Sequence, residues 1–392
     1  MAAERIVRVS ITGLLFHVLL SSFSSSSAFS AVEAVGFTGS ANYSFGIASI
    51  PVTLDYHNGS VYAVVERPQG YTLTEFDGWT LNITRTLIVS NEGLTPFPRV
   101  QTFIVPPSSP KVTPKMWLFA NLGLEVDLVS WKVTRKSAPF PLVDNTNLDN
   151  GFVLPDYSMV YLFQGVEGNV SYVYQWIKQF ETKSFSLLPQ TQTVGNGSYT
   201  HFYNGFTSQE GTNAYFVAQR GTSWQGYGLI QVDYTTWKVL NWTYTFGHMT
   251  PPVPFYNYQN PSDTFIFTED QVFADLCILN ATLATQFCTP NGSIPFYEIP
   301  QALTVGDGYL FAASQVVGAL YKTRKAKRAD DDDDATGMVR QLSKEGKPLA
   351  AFPLYGGYYP NLPDAAQGNH SIYISLTNDN FDPPLLLRLS YT

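Results

Sequence analysis

The sequence predicts an all-β fold assembled from seven similar four-stranded units. Seven strongly apolar runs recur at a mean spacing of about fifty residues, the length of one four-stranded repeat. The octets VDLVSWKV and VDYTTWKV, starting at Val126 and Val232, agree at five of eight positions and lie two such lengths apart. Aromatic residues make up 15% of the 392-residue chain and charged residues only 14%. Tyr and Phe favour the pleated, half-buried surface of strands over helices.

The seven runs are SVYAVVE from Ser60, KMWLFAN from Lys115, SMVYLFQ from Ser158, NAYFVAQ from Asn213, DTFIFTE from Asp263, GYLFAAS from Gly308 and HSIYISL from His370. Near-continuous apolarity means burial on both faces, the situation of a middle strand wedged between neighbouring units. A third strand follows each, as in YTLTEFD, LGLEVDL, YGLIQVD and PLLLRLS. In five units a turn former comes next: Asp77, Asp127, Asp233, Asn280 and Ser343. Such side chains hydrogen-bond amides a residue or two ahead and nucleate a reversal. The third unit has Lys178 there instead. Fourth strands start near Leu81, Lys132 and Lys238. The last unit ends at Thr392 with three strands, and ANYSFGI (Ala41 to Ile47) is the expected fourth. Pairing it there closes a ring and removes exposed edges. A β-sandwich or β-helix is the rival for such spacing.

This pattern resembles the seven-bladed β-propeller superfamily over almost all of the chain after residue 30. It matches no named family within it. Trp131 and Trp237 are followed by Lys, so the Trp-Asp pair of WD40 repeats is missing. Gly356-Gly357 stands alone where kelch repeats carry a di-glycine in most blades, and Asp77-Gly78-Trp79 is not a sialidase Asp-box. The resemblance implies a seven-bladed propeller closed by an N-terminal strand that completes the C-terminal blade. It implies no activity.

Residues 1–30 read as a signal peptide. Arg5 and Arg8 form a basic start, Ile11 to Leu20 an apolar stretch too short to span a bilayer, and Ala28-Phe29-Ser30 a small-residue cleavage site. An uncleaved anchor is the alternative. Residues 31–392 then form one domain, secreted or in the lumen of the secretory pathway, with no later transmembrane segment. Nine N-glycosylation sequons agree with that address: Asn42, Asn58, Asn82, Asn169, Asn196, Asn241, Asn280, Asn291 and Asn369. Cys277 and Cys288, the two cysteines, flank the turn after the third strand of unit five. A disulfide is the expectation in an oxidising compartment, and two buried thiols the alternative.

The net charge of −8 includes the run Asp330 to Asp334, so the body is nearly balanced and offers no concentrated cationic surface for nucleic acid. The segment 322–335 (KTRKAKRADDDDDA) reads as a charged loop inserted in unit six: a tolerated insertion, a cleavage site after Lys327-Arg328 or a docking loop. Asp55, Asn257 and Asp364 lie five or six residues before a middle strand and are the candidate oxygen ligands for an axial cation. No cofactor is expected; calcium is the one ion that these residues allow. Pro96-Phe97-Pro98, Pro139-Phe140-Pro141, Gly247-His248-Met249 and Tyr358-Tyr359-Pro360 crowd the connections of the expected ligand face. Aromatics rimmed by amides suit a sugar or peptide, although they also serve to cap blades. No nucleophile-base order, zinc motif or phosphate loop is present. The expectation is a binding protein for an extracellular protein or carbohydrate, with a hydrolase or lyase using a top-face pocket as the alternative.

Overall fold

The computed structural model describes residues 9–11, 14–16, 36–94, 100–105, 113–137, 298–316, 335–343, 346–378 and 382–392 and, between 148 and 288, the strands named here with a few flanking residues. It contains seven four-stranded antiparallel sheets among the described residues. Sheet 1 is formed by Ile50–His57, Ser60–Arg67, Gly70–Asp77 and Ile83–Ile88. Sheet 2 holds Gln101–Val105, Lys115–Phe119, Gly123–Asp127 and Lys132–Lys136. Sheet 3 has Leu148–Val153, Met159–Gln164, Ser171–Trp176 and Phe185–Leu187. Sheet 4 has Tyr199–Thr207, Asn213–Arg220, Tyr227–Asp233 and Lys238–Thr245. Sheet 5 has Val253–Tyr256, Thr264–Asp270, Asp275–Leu279 and Thr285–Cys288. Sheet 6 has Glu298–Gly306, Tyr309–Val316, Gly337–Ser343 and Pro348–Leu354.

Sheet 7 draws on both ends of the chain. Tyr358–Gly368, Ser371–Asn378 and Leu385–Tyr391 are joined on their outer side by Phe37–Ser44, which pairs antiparallel with Leu385–Tyr391. The strand therefore starts four residues earlier than the sequence predicts and stops at Ser44. Gly46 and Ala48 adopt left-handed backbones (φ 86° and 57°) that a strand cannot carry. A separate pair, Val9–Ile11 with Leu14–Phe16, lies within the segment read as a signal peptide.

All seven apolar runs are second strands, and the core shows why. In sheet 1, Val61, Ala63 and Val65 pack with Phe45, Leu386 and Tyr373 toward sheet 7. Tyr62 and Val64 pack with Met116, Leu118 and Leu124 toward sheet 2. Side chains alternate between faces with period two, so a strand buried on both sides needs apolar residues at nearly every position. A third cluster fills the space between sheets 6 and 7. First strands of neighbouring sheets touch in the order 7-1-2-3-4 and 5-6-7.

Candidate functional site

Five sheets repeat one side-chain pairing. An aromatic residue of the second strand stands directly opposite a buried polar residue of the third: Tyr62 and Glu75, Trp117 and Glu125, Tyr215 and Gln231, Phe311 and Gln341, Tyr373 and Arg388. In sheet 1 the Tyr62 hydroxyl donates to Glu75 Oε1 at 3.1 Å, and Arg85 Nε donates to Glu75 Oε2 at 2.5 Å. In sheet 2 Glu125 accepts from Lys115 Nζ (2.7 Å), Thr134 Oγ1 (2.8 Å) and Trp117 Nε1 (3.2 Å). In sheet 4 Asn241 Nδ2 donates to Gln231 Oε1 at 2.8 Å. Burial alone would raise the Glu75 and Glu125 carboxyls, but the hydrogen bonds from Arg85 and Lys115 and from nearby hydroxyls outweigh it and hold both below the usual range.

Two residues beyond Glu75, Glu125 and Gln231, the turn former acts as expected. Asp77 Oδ1 accepts from the Trp79 and Thr80 amides, Asp127 Oδ1 from those of Val129 and Ser130, and Asp233 Oδ1 from those of Thr235 and Thr236. Asn280 does the same for Thr282. Leu81, Trp131 and Leu283 close these turns with φ near 60°.

The turns are gripped by the preceding sheet. Arg85 reaches across to donate to Leu128 O (2.9 Å) and Val129 O (3.1 Å), with its guanidinium 4.5 Å from the centre of the Trp131 ring. Arg388, at the corresponding seam, donates to Trp79 O and lies 4.1 Å from the Trp79 ring centre, while the Tyr373 hydroxyl donates to Gly78 O at 2.8 Å. Gly78 admits this approach: a Cβ there would meet Gly59 O at 2.6 Å. Between sheets 6 and 7, His370 Nδ1 sits 3.0 Å from Asp307 Oδ2, which also accepts from the Tyr391 hydroxyl at 2.8 Å. Burial and the hydrogen bond to Asp307 push the Tyr391 phenol up, so it stays a donor. These groups join neighbouring sheets.

The first strands carry a different feature. Asp55 is half-buried as a side chain, but its Oδ2 is sealed from solvent without a hydrogen-bond partner. Burial pushes its carboxyl up to about 7, partly offset by a hydrogen bond with Thr102. Thr102 in turn meets Thr53, hydroxyl to hydroxyl, at 2.8 Å, which ties the first strands of sheets 1 and 2. The other two candidate ligands do not join Asp55 in view: Asp364 is placed only as backbone within Tyr358–Gly368, and Asn257 lies outside the described residues. Among the described residues no group of three His, Cys, Asp or Glu side chains converges to hold a metal.

Of the aromatic connections, Tyr358 is a core residue, 9% exposed, with its hydroxyl donating to Pro383 O. It caps the blade rather than lining a rim. Pro96-Phe97-Pro98, Pro139-Phe140-Pro141 and Gly247-His248-Met249 lie outside the described residues, as do Lys322 to Asp334 of the charged loop. What sequence reasoning missed is aliphatic: Ile47, 82% exposed, on the connection from sheet 7 to sheet 1, and Ile50, 49% exposed, at the start of the first strand of sheet 1. Cys277 stands directly opposite Cys288 in register. Asn58 and Asn369 occupy the turns between first and second strands of sheets 1 and 7. Asn169, Asn196 and Asn291 lie outside the described residues.

No protein-family model matches the chain, and no curated protein matches it in sequence. Solved structures match it in fold. A chain from the crystal structure of a mitotic checkpoint complex has a TM-score of 0.54 at 11% identity, covering 96% of this chain and 99% of that one. A prolyl endopeptidase has a TM-score of 0.51 at 11% identity, covering 87% of this chain and 47% of that one, so the chain spans about half its length. Both are propeller-type folds, and at such identity the likeness shows the fold alone. The chain has an all-β, β-propeller-like fold.

Proposed function

We propose that this chain is a secreted or lumenal, N-glycosylated seven-bladed β-propeller that binds an extracellular protein or carbohydrate without chemistry. The ring reading is supported by the pairing of Phe37–Ser44 with Leu385–Tyr391 and by the contacts between successive first strands. The register of Cys277 with Cys288 favours a disulfide across sheet 5. The binding reading rests on one observation above the others: Ile47 and Ile50 stand exposed where sheet 7 passes into sheet 1. Isolated surface aliphatics are common, but here two lie close in sequence: Ile47, between the left-handed Gly46 and Ala48, and Ile50, at the start of its strand. Ile47→Asn makes an Asn-Ala-Ser sequon at that spot. Binding to cell surfaces and to immobilised glycans is expected to disappear in this variant; unchanged binding sinks the assignment of the surface.

A second reading, a hydrolase or lyase with a top-face pocket assisted by calcium, is supported by the sealed Oδ2 of Asp55, an oxygen without a hydrogen-bond partner. It predicts a rise in melting temperature with calcium that Asp55→Asn removes. A flat calcium titration ends it.

A further inference from the structure

Every sheet ends in a fourth strand, and an edge strand is a template for pairing with another chain. The seven edges are protected unequally. Those of sheets 3 and 5 are only three and four residues long. The edge of sheet 6 contains Pro348 and Pro353, which cannot donate to a new ladder. The edge of sheet 2 is five residues long and ends on the exposed Lys136. Three edges remain: Phe37–Ser44, Ile83–Ile88 and Lys238–Thr245. None holds a proline. Arg85 is turned inward to Glu75, and Lys238 stands at the very start of its strand. Two of them also expose apolar side chains: Ile83 (41%), Ile88 (53%) and Leu240 (44%).

These three unguarded edges are the ones that carry a sequon. Asn42 and Asn241 lie within their strands, and Asn82 immediately precedes Ile83. We propose that glycans on Asn42, Asn82 and Asn241 are edge blockers that prevent strand addition by a second copy of this chain. The inference rests on the glycoprotein reading above. In the transfer, the asparagine amide nitrogen bonds to the first sugar of a lipid-diphosphate oligosaccharide, the lipid diphosphate leaves, and one amide proton is lost. The second N–H remains, so the bond from Asn241 Nδ2 to Gln231 Oε1 survives modification. Asn58 and Asn369 sit in hairpin turns, away from any edge, and serve as internal controls.

The test uses the secreted, glycosylated full chain, with site occupancy read by mass spectrometry and molecular mass by light scattering across concentration. The triple variant Asn42→Gln, Asn82→Gln, Asn241→Gln is expected to shift to dimers and larger species where Asn58→Gln, Asn369→Gln stays monomeric. Native trimming of folded wild type by an endoglycosidase does the same, which separates edge exposure from misfolding. Ser40→Lys, Thr86→Lys and Leu240→Lys, added to the triple variant, restore the monomer because charge replaces the glycan. A triple variant and a trimmed protein that both stay monomeric overturn the proposal, as does an association that the lysines leave unchanged. Empty sites at Asn42, Asn82 and Asn241 beside occupied ones elsewhere overturn it alone. Nine empty sites overturn the glycoprotein reading instead.

Discussion

The seam between sheets 1 and 2 and the seam between sheets 7 and 1 solve one problem with opposite electrostatics. In both, an arginine holds the backbone carbonyls of the next sheet's Asp turn and lies against an aromatic ring. Arg85 is neutralised by Glu75 at 2.5 Å, with its side chain 35% exposed. Arg388, 6% exposed, has Trp79 O and the Trp79 ring, and its Nε has no hydrogen-bond partner. The paired seam thus depends on a buried carboxylate that must stay charged and matched. The seam where the two ends of the chain meet depends on packing, on a cation over an aromatic ring and on the Tyr373 hydroxyl.

The largest effect follows from that asymmetry. Arg85→Ala leaves the buried Glu75 carboxylate with the Tyr62 hydroxyl but no cation, and is expected to cost about 3 kcal/mol in denaturant unfolding. Adding Glu75→Gln should recover most of the loss. Arg388→Met, at the more buried site, strands no charge; loss of a charged hydrogen bond and a cation–π contact sets its cost at about 2 kcal/mol. Equal losses at the two arginines would remove the distinction.

Next comes pH. Asp55 is raised to about 7 when folded, against 3.8 for the free group, so the folded state holds the proton more tightly. Its contribution favours folding in acid and fades as pH rises from about 4 to about 7. Asp55→Asn should unfold like wild type at pH 4 and later than wild type at pH 8. Glu75, Glu125, Asp77 and Asp127 have the opposite sign: their lowered values add stability at neutral pH that is lost as pH falls through them. The smallest effect belongs to a turn. Asp77→Ala removes the acceptor for the Trp79 and Thr80 amides at an exposed site and should cost about 1 kcal/mol, whereas Asp77→Asn keeps the acceptor and most of the stability.

The second strands and the Asp turns were legible because both are local: apolar continuity and a turn acid need no knowledge of neighbours. The end of the N-terminal strand was not, since it depends on the left-handed backbones at Gly46 and Ala48. The seams were hidden for a different reason. Arg85 and Arg388 bind main-chain carbonyls of another unit, which leave no mark in side-chain identity. One signal was available: Glu75, Glu125 and Gln231 each stand two residues before a turn Asp, and Arg388 interrupts the leucine run of the last strand. A polar residue at a repeated core position announces a buried partner. Asp55 reads from its position before a middle strand as an oxygen ligand, and the structure adds its sealed Oδ2 and the Thr102 contact.

Hydrogen exchange of the N-terminal strand tests ring closure most directly. If Phe37–Ser44 completes sheet 7, its ladder amides exchange as slowly as those of Ser371–Asn378, through global opening. Exchange of Phe37–Ser44 within seconds, beside a protected Ser371–Asn378, would show a sheet left open at Leu385–Tyr391 and a ring that the N-terminal strand does not close.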